Sequence, residues 1–402
     1  MKHFSLLFCL FLSLGVSLQA ADLLFSRDNI RKIATGGAYP RLYALKDGSW
    51  LLGYDDGRIH VRHSNDKGRT WSEPSIASFH DEALCANVDF HELPDGSIIC
   101  SYRAIGKAPL SQYSRGIYCS ISRDKGATWQ EYNTIVSNFS MGLGEQNIIE
   151  TMSKGYNIGF YEPFVDVING VVTVMYSDDF SPMLENVRQN PRGNHRCQRI
   201  VAKELRDGVW TNQRIIMDGA AEKTVGSVTR VSRDGMSVFA RMKTGEYVVV
   251  FEGMYRDQPE TDSIRFEVLM AYSTDGVNWS APIEIYVPKG RGTKAAAPYV
   301  CVTDDNRLVV SFQTDEDCFA ATGQVGDHVS VMKCIISDGT PIQNMDRTHF
   351  GPAQDVFFLN AGEAGLWNGM MYHQGVLYCV SGLRDGIYIN SCTIPPTAKL
   401  KK

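Results

Sequence analysis

Ser64-Asn-Asp66-Lys-Gly68-Arg-Thr70-Trp71 and Ser122-Arg-Asp124-Lys-Gly126-Ala-Thr128-Trp129 follow one pattern, Ser-x-Asp-x-Gly-x-Thr-Trp. A third copy, Ser273-Thr-Asp275-Gly276-Val-Asn-Trp279, is one residue shorter, and a worn one sits at Leu205-Arg-Asp207-Gly208-Val-Trp210. Each spells a hairpin turn. Aspartate accepts backbone N–H bonds, glycine takes φ > 0, and tryptophan packs the turn onto its sheet. Recurrence of one supersecondary unit marks a repeat fold. Such turns normally lie on an outer rim, so they argue for architecture and not for a site.

A second repeat gives the count. Six times a turn is followed by a β-rich run: Asp47-Gly48 before Ser49–Tyr54, Asp95-Gly96 before Ser97–Tyr102, Asn169-Gly170 before Val171–Tyr176, Thr244-Gly245 before Glu246–Phe251, Asp305-Asn306 before Arg307–Phe312, and Gln374-Gly375 before Val376–Ser381. Another short apolar stretch precedes each turn, so each unit is a hairpin. Successive turns lie 48 to 75 residues apart. That spacing predicts an all-β chain, a six-bladed β-propeller of four-stranded antiparallel blades, in one domain over residues 21–402.

Residues 1–20 read as a signal peptide: a polar start, an apolar run from Phe4 to Val16, and a small residue at Ala20. The expectation is a secreted or periplasmic protein with no membrane span after its removal. A net charge of −5 argues against a nucleic-acid partner. Nine cysteines follow the signal, an odd number, and Cys100, Cys119, Cys301 and Cys379 sit in apolar runs that suit small buried residues. No spacing resembles a metal site, so neither metal nor cofactor is expected, and the chain is expected to act as a monomer.

Antiparallel pairing locates the channel mouth. In each blade the first strand lies nearest the axis, and its start shares a rim with the end of its hairpin partner. First-strand starts then contribute Arg41, Asn87, Asp89, Glu162, Ser237, Tyr299 and Asn368. Second-strand ends contribute Asp55, Arg103, Asp178, Asp179, Glu252 and Gln313. Solvated strand ends explain many of these. They explain Glu162 and Glu252 less well. Glu162 sits between Phe160-Tyr161 and Pro163-Phe164, and Glu252 ends Tyr247–Phe251. A carboxylate among such neighbours is costly unless paired or functional, and apolar surroundings raise its pKa. Two carboxylates facing a pocket are the equipment of glycoside hydrolysis. Glu162 and Glu252 are the expected catalytic pair. Arg41, Asp89, Arg103, Asp178, Tyr299 and Asn368 are the expected substrate-binding groups, the arginines serving either an acidic sugar or an ion pair.

The Ser-x-Asp-x-Gly-x-Thr-Trp turns are Asp boxes and resemble the sialidase superfamily. Within it, Tyr161–Phe164 (YEPF), Tyr176–Asp179 (YSDD), Gly235–Glu252 and Ala297–Val300 (APYV) resemble exo-α-1,5-L-arabinanases of glycoside hydrolase family 93. The resemblance implies a retaining, exo-acting hydrolase of glycan chain ends, with α-L-arabinan as substrate, Glu162 as acid/base and Glu252 as nucleophile. The last blade departs from the family, opening on Leu366-Trp367-Asn368-Gly369 where a tyrosine is usual. An exo-α-sialidase and a non-catalytic carbohydrate-binding propeller are the alternatives. Long polar loops at 137–156 and 179–196 are expected to close one end of the pocket.

Overall fold

The computed structural model describes residues 23–107, 115–139, 159–182, 197–225, 228–254 and 265–395. Strand β1 (Arg31–Thr35) comes first and is used last. Blade 1 is β2 (Ala38–Ala44), β3 (Trp50–Asp55), β4 (Ile59–Ser64) and β5 (Ser75–Ser78). Blade 2 is β6 (Ala83–Glu92), β7 (Ile98–Gly106), β8 (Arg115–Ser122) and β9 (Gln130–Ser137). Blade 3 is β10 (Phe160–Ile168), β11 (Val171–Asp178), β12 (Arg199–Arg206) and β13 (Val209–Asp218). A two-stranded ribbon, β14 (Lys223–Val225) and β15 (Val228–Arg230), leads to blade 4: β16 (Gly235–Arg241), β17 (Tyr247–Gly253), β18 (Glu267–Ser273) and β19 (Ile283–Tyr286). Blade 5 is β20 (Ala295–Val302), β21 (Leu308–Thr314), β22 (Val331–Ile336) and β23 (Gln354–Asp355). Blade 6 is β24 (Gly365–His373), β25 (Val376–Leu383) and β26 (Gly386–Thr393), completed by β1.

Every blade is an antiparallel meander of four strands, and all six predicted hairpins join first strand to second. The first strands touch in a closed circle, β2 to β6, β10, β16, β20, β24 and back to β2, which puts them at the axis. The second strands are buried on both faces because a neighbouring blade covers each face. Tyr247–Gly253 is buried at every position. The core is therefore divided among the gaps between blades. One cluster joins Ile99 and Ile117 of blade 2 to Val165 and Val174 of blade 3, and another joins Met175 and Ile200 to Val249 and Phe251 of blade 4. The nine described cysteines are all buried, as the apolar runs around Cys100, Cys119, Cys301 and Cys379 predict for those four.

The Ser-x-Asp-x-Gly-x-Thr-Trp turns lie between third and fourth strands. Asp66 Oδ1 accepts from Thr70 N at 2.8 Å, and Ser64 Oγ accepts from Gly68 N at 2.8 Å. Asp124 and Ser122 repeat the arrangement, and Asp275 holds Val277 N and Asn278 N. Residues 1–20 lie outside the described residues, and among the described residues no helix is long and apolar enough to cross a membrane.

Candidate active site

Each of the six first strands slips register near its start, and the slip leaves one residue with positive φ. These are Tyr39 (53°), Asn87 (58°), Glu162 (48°), Met236 (53°), Ala297 (50°) and Trp367 (55°). None is glycine, so each carries the steric cost of that conformation, about 1–2 kcal/mol. The bulge turns its side chain out of the ladder. Tyr39, Met236, Ala297 and Trp367 pack together although they come from blades 1, 4, 5 and 6. Residues of opposite blades can meet only at the axis. Glu162 therefore stands in a ring of six equivalent side chains at the channel mouth. Proline, which has no N–H to lose from the ladder, follows three of the bulge residues, at Pro40, Pro163 and Pro298.

A second ring lies opposite the first. The second-strand partners beside the bulges are Asp55, Arg103, Ser177, Glu252, Gln313 and Gly382. Four of them accept the N–H of the bulge residue in the next blade. Asp55 Oδ2 takes Asn87 N at 3.0 Å, Ser177 Oγ takes Met236 N at 3.0 Å, Glu252 Oε2 takes Ala297 N at 2.9 Å, and Gln313 Oε1 takes Trp367 N at 3.0 Å. Glu252 thus has a positioned carboxylate and a seam to hold. Arg103 and Gly382 depart from this pattern.

Glu162 and Glu252 come from adjacent blades and share Arg233. The Arg233 guanidinium lies 4.0 Å from Glu252 Oε1. Burial opposes its charge, but Glu252, Glu162 and Asp179 around it hold it firmly protonated. Burial pushes Glu252 up to about 7, against Arg233 and the Ala297 N–H, with the Glu162 charge adding to the rise. Burial also raises Glu162, against Arg103, Arg233 and a hydrogen bond from Ser177. Ser177 Oγ accepts the Met236 N–H and so turns its own hydrogen towards Glu162. Asp179 completes the cluster, pushed to about 7 by burial, its carboxylate accepting from Gly159 N.

These shifts fix the sign of a pH effect. Burial lifts Asp55, Asp89, Asp179 and Glu252 each to about 7. In the unfolded chain such groups titrate near 4. Between those values the folded protein holds more protons than the unfolded one, so its stability falls as pH rises through the window. The expected result is a higher thermal unfolding midpoint at pH 5 than at pH 8, measured by calorimetry at constant ionic strength. A midpoint that climbs from pH 5 to pH 8 would contradict it.

The other expected residues divide. Arg103 is at the mouth, over the Tyr161 ring at 4.9 Å. Arg41, Asp89 and Tyr299 lie one tier deeper, opposite Gly53, Ser101 and Ser311, and all three are buried. Arg41 Nη1 donates to the carbonyls of Pro40, Trp367 and Asn368, at 2.8, 3.2 and 3.0 Å, and clamps blade 6 to blade 1. Asp89 Oδ2 accepts Val165 N at 2.7 Å and ties blade 2 to blade 3. Asn368 is 1% exposed with neither side-chain polar atom bonded. Asp178 is buried, and its carboxylate accepts from Phe180 N, Ser181 N and Ser181 Oγ and shapes a local turn, while Ser177 is the second-strand partner beside the bulge. Arg233 and Ser177 were not foreseen. Arg233 precedes a strand and belongs to no hairpin, so no periodic signal points to it. Most of the long loops, at 140–158 and 183–196, fall outside the described residues.

No protein-family model and no curated protein matches this chain. Solved structures do. An α-L-arabinanase of Penicillium chrysogenum, complexed with arabinobiose, is 16% identical with a TM-score of 0.62, over 93% of this chain and 99% of the other. A family 93 α-L-arabinofuranosidase of Fusarium graminearum, also with arabinobiose, is 18% identical with a TM-score of 0.58, over 92% and 94%. The NanB sialidase of Streptococcus pneumoniae is 10% identical with a TM-score of 0.57, over 90% of this chain and 70% of its own. At these identities the likeness is one of fold, and the chain has the six-bladed propeller that its hairpins predicted.

Proposed function

We propose that this protein is an exo-acting, retaining glycoside hydrolase that removes sugars from glycan chain ends, exported to the periplasm or the medium and active as a monomer. The observation that carries the reading is the Glu162–Arg233–Glu252 cluster at the mouth of an arabinanase-like propeller. Burial raises both carboxyls, and the Glu162 charge opposes ionisation of Glu252. Arg233 and the Ala297 N–H favour the negative form of Glu252, the form a nucleophile needs, and Glu162 takes the acid/base role.

The chemistry then balances. Glu252 attacks the anomeric carbon while Glu162 gives its proton to the departing glycosidic oxygen. A covalent glycosyl-enzyme and a free alcohol result. Water next attacks the anomeric carbon, Glu162 takes the water proton, and Glu252 leaves. Two inversions give net retention.

α-L-Arabino-oligosaccharides and a panel of aryl glycosides are the substrates to screen first, with the anomeric form of the first product followed by NMR. Release of the retained anomer is expected. Release of the inverted anomer would exclude Glu252 as nucleophile, and no release from any glycoside would remove the hydrolase reading.

A further inference from the structure

Arg103 breaks the rule of the second ring. At its register position Asp55, Ser177, Glu252 and Gln313 accept the bulge N–H of the next blade. A guanidinium has donors only. Arg103 cannot close the seam to blade 3, and Asp89 does so from the tier below, through Val165 N. The Arg103 head group closes no seam between blades. Its Nε is buried without a hydrogen-bond partner, and among the described residues none pairs with it at ion-pair distance. The group is nevertheless central. Its charge acts on Tyr39 and Asp55 of blade 1 and on Tyr161 and Glu162 of blade 3.

The neighbouring cations are occupied. Arg41 is bound to three carbonyl oxygens, and Arg233 is set among Glu252, Glu162 and Asp179. Asp55 faces Arg103, but its Oδ2 holds Asn87 N. The guanidinium lies over the Tyr161 ring, 4.9 Å from its centre, and its charge acts on the acid/base glutamate. Tyr39, Met236, Ala297 and Trp367 pack into an apolar cluster at the axis of the same ring.

We propose that Arg103 receives the carboxylate of an acidic sugar, so that the residue cleaved from the chain end is a hexuronic acid and not a neutral sugar. The inference rests on the hydrolase reading and names its substrate class. A carboxylate matches a guanidinium fork through two parallel bonds, whereas a neutral sugar leaves a buried donor unmatched. Discrimination of about 100-fold follows from one such charge-assisted contact.

The test compares 4-nitrophenyl α- and β-hexuronides with the matching neutral hexosides and with the α-L-arabinofuranoside. The expected result is a uronide favoured about 100-fold in kcat/KM, and collapse of that ratio towards unity in Arg103→Gln, with partial recovery in Arg103→Lys. Calorimetry gives a second readout. A hexuronic-acid disaccharide should bind Glu252→Gln in a salt-sensitive way, and binding should be lost in the double variant with Arg103→Gln, whose circular dichroism stays native. Preference for a neutral glycoside overturns the inference and leaves the hydrolase reading standing. So does a uronide preference that survives Arg103→Gln. Inertness towards every glycoside fells the hydrolase reading, and this inference with it.

Discussion

Glu252→Gln abolishes glycoside hydrolysis, by at least about 10⁴-fold in kcat, and leaves the propeller intact. The two halves of this expectation have separate causes. Glutamine has the shape of glutamate, and its amide oxygen still accepts the Ala297 N–H that ties blade 4 to blade 5. What it loses is the negative oxygen that attacks carbon. The seam survives and the nucleophile does not. Stability should even gain. A carboxyl that burial lifts to about 7 is replaced by a neutral group, so the unfolding midpoint at pH 8 stays level or rises, and the fall between pH 5 and pH 8 shrinks. Kinetics and calorimetry on one preparation read both halves. Retention of more than a tenth of the activity would remove Glu252 from the chemistry. A collapsed midpoint would show that its charge, and not only its shape, holds the seam.

Deleting the residues through Thr35 removes the cooperative fold. Strand β1 is the fourth strand of blade 6, paired to β26 from Arg31↔Ile389 to Thr35↔Gly386. It joins the two ends of the chain and closes the circle. Ile33 and Ala34 pack in the same cluster as Trp50 and Leu52 of blade 1 and Val380, Ile387 and Ile389 of blade 6. Without β1 that cluster opens to water, and β26 (Gly386–Thr393) presents a bare row of N–H and C=O groups, a template for aggregation. The truncated protein should show no single calorimetric transition and should scatter light, while a chain starting at Leu23 melts cooperatively. Cooperative melting of the truncated chain would mean that blade 6 is stable on three strands.

The fold was legible because its signals are local. A turn residue pair and a period-two run recur six times, and antiparallel pairing alone brought Glu162 and Glu252 to one rim. The bulges were not legible as such, and they set which residue of each strand reaches the rim. One extra residue in β10 shifts the count on β11, so Ser177 and not Asp178 faces the mouth. The same insertion sets Arg41, Asp89 and Tyr299 a tier below it. A signal was present in Tyr39-Pro40, Glu162-Pro163 and Ala297-Pro298, each at the same offset within its blade. Arg233 lay beyond this reasoning because only tertiary packing brings it between the two glutamates.

The ring of left-handed residues has a meaning for how such proteins diversify. The bond across four of the six seams is made to the bulge residue's backbone N–H, which every residue except proline owns. The side chain displayed there is left out of that bond. This one chain already shows tyrosine, asparagine, glutamate, methionine, alanine and tryptophan in six equivalent sockets. A lineage can rewrite the pocket one socket at a time, and the closed circle of blades is inherited unchanged.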